Sequence, residues 1–458
     1  MNKKVLSILS AISLLCSCTE LVPEDEAVTA RKFSIYLTDP VTRTVNDGMS
    51  TKWVVGDRVS VLFAEAGTTN YQRGFDFAVV DAETGRIEGV LPEEFDPNLT
   101  YDWYISHGGN TPTTPAEKSV YVGIWGSEYF QIQTGNSSKS HLAGARYYPL
   151  VGNVKGVPGT KNPTVRMRNV ASVIEFNLTN GTDQPIIVQD IQLKTPERIN
   201  GKFSVDFSGE DIIVASNKSD YIAKLQVNEG TAIKPGESAK FYMGAKPFSF
   251  NAGDELKLVV TATKDGKAER SRLAKTIETP ITFNQGEIKT LNYTFAPSSA
   301  PLEVTKADFD SFNQGYSSNY KNDLVSLDGW ITNNCRAVVM RPSKHTAPTL
   351  SGKTSAPGVL TSPLFAHGCS ILTFKYGVLE SVLDSLSFKV EVFNEAGEVV
   401  WTKSITEAEP VFEKGYDFSE TVNVPGVFRL RFTNLCPTDA TWEKDCVSLY
   451  DMSWTNVQ

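Results

Sequence analysis

Thr42 to Phe63 reads TRTVNDGMSTKWVVGDRVSVLF. Asp47-Gly48 is a tight-turn signal and Gly56-Asp57 a second, and the residues that follow alternate in character. Val59, Val61 and Phe63 fall on one face by the period of two that a β-strand imposes. Trp53, between the two turns, is expected to be exposed. No catalytic chemistry is visible in the stretch, which reads as a hairpin opening a β-sandwich.

The same pattern extends in both directions. Lys32 to Leu37 alternates Phe33, Ile35 and Leu37 against Ser34 and Tyr36. Strands are expected at Tyr71 to Val80, Arg86 to Leu91 and Thr100 to Ser106, with a turn at Glu83-Thr84-Gly85. A Gly/Pro-rich passage (Gly156, Pro158, Gly159, Pro163) precedes a fresh alternating run, Arg168 to Leu178. Further strands are expected at Ile186 to Lys194, Gly201 to Phe207, Lys240 to Gly244, Glu255 to Ala262 and Thr290 to Phe295. Helical periodicity is almost absent, so the fold class is all-β.

Length and composition set outer limits. At 458 residues the chain is long enough for two or three domains of roughly 150 residues each. A net charge of −9 and an isoelectric point near 5.2 argue against nucleic acid as a partner, because a phosphate-binding face needs a dense Lys/Arg patch. There is no GxSxG, HExxH, phosphate-binding glycine loop or GxGxxG, so an enzyme is not expected.

The amino terminus is read as a targeting segment. Lys3 and Lys4 precede an apolar run, Val5 to Leu15, too short to span a bilayer. Leu15-Cys16-Ser17-Cys18 resembles a bacterial lipobox with Cys18 as the lipid acceptor. Residues 1–17 are then the signal peptide and 18–30 a tether. Its acidic residues (Glu20, then Pro23-Glu24-Asp25-Glu26) resemble surface-export signals of Bacteroidota lipoproteins. The membrane would be reached by the lipid anchor only, at the outer membrane and facing the cell exterior.

Four cysteines remain after processing, Cys335, Cys369, Cys436 and Cys446, and they allow three pairings. Cys436 and Cys446 bracket the turn-like Pro437-Thr438-Asp439, which favours that pair and leaves Cys335 with Cys369. No CxxC spacing supports zinc, so disulfides or free thiols are expected.

Thr42-Arg43-Thr44, Asp47-Gly48, Trp53 and Gly56-Asp57-Arg58-Val59 together are similar to the start of fimbrillin-like lipoproteins of Bacteroidota. Arg168 to Phe176 resembles the start of their second domain, and Pro235-Gly236-Glu237 to Tyr242 and Gly286-Glu287-Ile288 to Phe295 its closing strands. The resemblance covers Lys32 to Phe295, more than half of the chain. It implies tandem transthyretin-like β-sandwiches at 31–165 and 166–296, and trimming at a basic residue, here Arg43, in pilus-forming members. It also implies assembly with other fimbrial subunits by strand donation. The chain departs from a shaft subunit by continuing past Phe295 into a further domain, which points to a terminal or accessory role.

Beyond the Pro/Ser linker Ala296 to Pro301, the segment 301–458 looks like the jelly-roll modules related to carbohydrate-binding modules. Its markers are Ala307 to Phe312, Gly329-Trp330, Leu360 to Leu364, Leu372 to Phe374 and Val447 to Ser453. First and last strands are neighbours in such modules, and the resemblance implies a structural calcium ion on Asp308 or Asp310 with Asp451. No other cofactor is expected. Candidate glycan-binding residues are Trp442, Tyr316, Tyr320, Arg429 and Arg431, whereas Trp330 and Trp401 are expected in the core. Val427 to Phe432 places Phe428, Leu430 and Phe432 on the core face and Arg429 and Arg431 on the other. The function expected is a surface adhesin or accessory pilus subunit, with a glycan-capturing lipoprotein for polysaccharide uptake as the alternative. The partners are then host or dietary glycans or surface proteins.

Overall fold

The computed structural model describes residues 32–38, 53–108, 113–115, 118–122, 130–142, 149–206, 212–298, 300–309, 312, 326–339, 346–352, 355–378, 385–408, 410–411, 414–435 and 446–457. Its strands fall into three groups in chain order. The first holds β1 (Lys32–Thr38), β2 (Arg58–Glu65), β3 (Gln72–Asp81), β4 (Arg86–Val90), β5 (Thr100–His107), β6 (Lys118–Val122), β7 (Gln131–Thr134), β8 (Leu150–Pro158) and β9 (Thr164–Asn169). The second holds β10 (Ser172–Asn180), β11 (Ile186–Lys194), β12 (Asn200–Asp206), β13 (Ile212–Asp220), β14 (Ile222–Asn228), β15 (Ser238–Ala245), β16 (Phe248–Phe250), β17 (Glu255–Lys264), β18 (Lys267–Thr276), β19 (Ile281–Phe283) and β20 (Ile288–Phe295). The third holds β21 (Ile331–Asn333), β22 (Cys335–Val339), β23 (Thr346–Leu350), β24 (Val359–Thr361), β25 (Cys369–Gly377), β26 (Ser385–Asn394), β27 (Val399–Ala408), β28 (Gly415–Val424), β29 (Phe428–Asn434) and β30 (Val447–Trp454). The protein is all-β, as the alternation predicts.

The first group closes on itself. β1 is antiparallel to β4 and parallel to β9, which completes a barrel in the order β1-β4-β3-β2-β5-β8-β9. Its core takes Val59, Val61 and Phe63 from β2, as their period requires, with Phe33, Ile35 and Leu37 from β1. Trp53 departs from expectation, being 6% exposed and standing edge-on to His107 with ring centroids 5.4 Å apart. The Gly56-Asp57 corner explains the reversal. Asp57 Oδ2 accepts the Val54 N–H at 2.9 Å and the Asp57 N–H donates to Val54 O, folding the chain so that Val54 and Val55 face water while Trp53 packs inward.

Two strands of this segment leave the barrel for the second group. β6 pairs with β12, and β7 runs parallel to β14 at the edge of the sheet β18-β17-β11-β14-β7. The opposing sheet is β15-β10-β20, and β15 has its outer edge beside β7. Side chains of β7 satisfy that edge. Gln131 Oε1 accepts from Gly244 N–H and its Nε2 donates to Gly244 O, both at 2.8 Å; Gln133 Oε1 accepts from Tyr242 N–H at 2.9 Å. Both glutamines are fully buried, so this pairing avoids orphaned groups in the interior. β7 thus bonds one sheet through its backbone and the other through its amides. A shared apolar cluster of Leu62, Tyr104, Val151, Val170, Val173, Phe203 and Tyr242 joins the two groups further.

The third group forms two five-stranded sheets, β21-β24-β29-β26-β27 and β22-β23-β30-β25-β28, around one aromatic core. Trp330 is fully buried in it, as expected, whereas Trp401 is only half-buried and packs against the cluster from outside. The start and end of the segment are neighbours: Lys306 bridges Ser453, and the Ala307 N–H donates to Met452 O. The Pro/Ser linker is not the sole connection to the second group. Asp308 Oδ2 receives Lys194 Nζ at 2.5 Å and Lys257 Nζ at 3.4 Å, and Asp328 Oδ1 lies 3.6 Å from Lys257 Nζ.

The expected pairing of Cys335 with Cys369 requires correction. Cys335 and Cys369 are buried free thiols; Cys446 is buried, and its expected partner Cys436 lies outside the described residues. Cys335 on β22 and Cys369 on β25 are separated by β23 and β30 in one sheet. Three strand spacings of about 4.8 Å put them about 14 Å apart, beyond the span of a disulfide.

Candidate functional site

The hairpin β26–β27 and the neighbouring β29 build the site. Along β26, Phe388, Val390 and Val392 enter the core, which turns Lys389, Glu391 and Phe393 to the outer face. Along β29, Phe428, Leu430 and Phe432 are fully buried and Arg429 and Arg431 face outward, as the sequence predicts. The antiparallel register sets Glu391 opposite Arg431 and Phe393 opposite Arg429. β24 flanks them, with Thr361 opposite Arg431. Ser362 Oγ accepts the Leu430 N–H at 2.8 Å and fixes the chain that follows, which carries Leu364 to the site.

These elements enclose a cleft of about 280 Å³ lined by Thr361, Leu364, Phe393, Asn394, Glu395, Gly397, Arg429 and Arg431. One rim is the hairpin turn. Asn394 Oδ1 accepts the Glu398 N–H at 2.9 Å and Asn394 Nδ2 donates to Glu398 Oε2 at 2.8 Å, while Gly397 takes a φ of +82° that a side chain would strain.

Charge is arranged in two parts. Arg431 donates from Nε to Glu391 Oε2 at 2.8 Å, with a second guanidinium nitrogen at 2.7 Å, and its plane stands 4.6 Å from the Phe393 ring centroid. Lys389 Nζ lies 2.9 Å from the same carboxylate. Burial pushes the Glu391 carboxyl up, but the hydrogen bonds from Lys389 and Arg431 outweigh it and hold the group below the ordinary range. Arg429 is different: it is exposed, and its guanidinium makes no hydrogen bond or ion pair among the described residues. The cleft therefore has one fixed guanidinium on an aromatic wall and one open to a ligand.

Other expected site residues fall elsewhere. Cys18, Arg43, Asp310, Tyr316, Tyr320, Cys436 and Trp442 lie outside the described residues. Asp451 is exposed in a left-handed conformation with φ of +50°. The Asp308 carboxylate takes two lysine ammoniums of the second group, and among the described residues no cluster of three or more His, Cys, Asp or Glu could hold a metal ion. Phe393, Thr361, Leu364 and Glu395 were not among the sequence candidates. Phe393 carried a signal, being the aromatic in phase with Lys389 and Glu391 on a strand whose other phase is apolar from Leu386 to Val392.

No protein-family model matches the chain, and no curated protein matches it. Among solved structures, it is similar to a candidate cell adhesion protein from Bacteroides ovatus, at 13% identity and a TM-score of 0.37, covering 58% of this chain and 92% of that one. A candidate cell adhesion protein from Bacteroides uniformis gives 13% identity and a TM-score of 0.35, over 59% and 95%. A carbohydrate-binding module in complex with β-1,4-galactotriose gives 11% identity and a TM-score of 0.22, over 31% and 100%. Likenesses this distant do not bear on what the protein does.

Proposed function

We propose that the protein is a cell-surface adhesin that captures glycans through the cleft of its last group of strands. The observation that carries this is the Arg429–Phe393–Leu364 surface, where an unpaired guanidinium meets apolar walls in a cleft of about 280 Å³, near the low end of ligand-site volumes. The amino-terminal signal and Cys18 support delivery as a lipid-anchored protein of the outer membrane, with the two preceding groups lying between anchor and cleft in the order of the chain. Binding without catalysis is the role proposed. Glu391 is committed to Arg431 and Lys389, which leaves Glu395 as the carboxylate on the cleft, and glycoside hydrolysis generally needs two.

The purified full chain on a glycan array, together with adhesion of cells expressing it to glycan-coated surfaces, tests the proposal. Retention of defined glycans and adhesion above that of a deletion strain are expected. No retained glycan and unchanged adhesion would overturn it.

A role as an accessory pilus subunit is a second reading, favoured by the position of β1. This strand buries Phe33, Ile35 and Leu37 between β4 and β9 and reaches β2 only through a segment containing Arg43. Cleavage at Arg43 would leave β1 held by contacts alone, and its departure would bare two strand edges and an apolar groove. Mass spectrometry of surface-extracted protein decides this. An amino terminus following Arg43 supports the reading, and an intact lipidated Cys18 terminus with no shorter form removes it.

A further inference from the structure

We infer that the cleft selects an acidic sugar unit, its carboxylate or sulfate ester held by the Arg429 guanidinium; this rests on the glycan-binding reading above. Three polar groups on the lining have no hydrogen bond or ion pair among the described residues: the Arg429 guanidinium, the Thr361 hydroxyl and the Glu395 carboxylate. By contrast Arg431 is spent on Glu391 and Phe393, and the Asn394 amide is spent on Glu398.

The three open groups differ in chemistry, and the ligand must match all of them. A guanidinium offers paired donors in a fork that fits an oxyanion with two oxygens. A carboxylate such as Glu395 accepts from hydroxyls and repels an anion beside it, so the ligand must turn its charge to Arg429 and its hydroxyls to the hairpin rim. Leu364 and Phe393 supply an apolar surface between, suited to the C–H face of a pyranose and not to a bare inorganic anion.

Selection also has an electrostatic side. The chain as a whole carries −9, whereas on this face Lys389, Arg429 and Arg431 stand against Glu391, Glu395 and the rim carboxylate Glu398, three cations against three anions. Glu391 is paired with Lys389 and Arg431, and Asn394 holds Glu398 at the turn, so Arg429 is the cation of the lining left for an anionic ligand to meet.

The test is calorimetric titration of the purified full chain with oligogalacturonate, a chondroitin sulfate oligosaccharide and a neutral oligogalactoside. At least one acidic probe is expected to bind roughly tenfold or more tighter than the neutral one, and more weakly as salt rises. Arg429→Ala is expected to remove that preference, while Arg429→Lys keeps part of it, since a lysine keeps the charge and loses the fork. Arg429 is exposed and unpaired, so both variants should melt as the parent does. Preference for oligogalacturonate assigns a carboxylate and preference for chondroitin sulfate a sulfate ester. Equal binding of neutral and acidic probes, or an Arg429→Ala variant with unchanged preference, overturns the inference and leaves glycan capture standing. Failure of every glycan on the array overturns both.

Discussion

The Arg431 guanidinium lies 2.7 Å from the Glu391 carboxylate across the pairing of β29 with β26, and the same guanidinium covers the Phe393 ring. This contact holds one wall of the cleft still while leaving Arg429 free. Glu391→Gln is expected to cost about 1 kcal/mol of stability, a modest figure because Arg431 is 40% exposed to solvent. The Glu391 carboxyl is held below its ordinary range, so its contribution is complete above the unfolded value near about 4.3 and is lost as pH falls through the folded one. Ligand affinity should therefore stay level from neutral pH to about pH 5 in the parent chain. Calorimetry across that range, with the Glu391→Gln variant alongside, checks both points.

Gln133→Leu removes the acceptor of the buried Tyr242 N–H and leaves that donor without its partner. A loss of about 2 kcal/mol is expected, against a smaller loss for an exposed amide such as Asn136→Ala. Denaturant unfolding, with hydrogen exchange at Tyr242 and Gly244, checks it. Rapid exchange at both amides in the variant would show that β7 had left the edge of β15.

Asp308 and Asp328 should respond in opposite senses although both face Lys257. Burial raises the Asp308 carboxyl, but Lys194 and Lys257 more than offset it and hold the group below the ordinary range. Burial also raises Asp328, and there Lys257 offsets it only in part. Asp308→Asn should cost about 3 kcal/mol at neutral pH and loosen the contact between the second and third groups. Asp328→Asn should cost nothing or stabilise, because its ionised form is the disfavoured one in the fold. Melting curves at pH 7 and limited proteolysis of the 296–301 linker check the pair. The Asp308 contribution is lost as pH falls through its depressed folded value.

Cys335 and Cys369 should be inert in the native protein. Burial pushes both thiols up to about 12, so the reactive thiolate is scarce at neutral pH. Alkylation followed by peptide mass mapping should leave both unmodified in native buffer and label both in denaturant without reductant. Failure to label Cys369 in denaturant unless reductant is added would mean that it is paired.

Much of the strand order was legible because one face of each strand is buried and the period of two writes that face into the chain. Ile186 to Lys194 coincides with β11, and Val427 to Phe432 gave the core and outer faces of β29 with Arg429 and Arg431 on the correct side. The alternating run Arg168 to Leu178 is divided between two strands for a physical reason. β9 ends at Asn169 and β10 starts at Ser172, since Val170 and Ala171 turn into the cluster shared by the first two groups. The pairing of Cys335 with Cys369 misled because it was only what another pairing left over, and position in the chain says nothing about which strands will lie between two residues.

The sequence by itself determined that the chain is all-β, where most strands run, and which residues of a strand face the core, because those properties depend on local alternation and turn chemistry. Only the tertiary structure decided that β6 and β7 serve the second group, that Asp308 meets Lys194 and Lys257, and that Phe393, Leu364 and Thr361 gather around Arg429. Each of these joins residues far apart in the chain. Register and sheet packing bring them together, and neither leaves a periodic trace in the sequence.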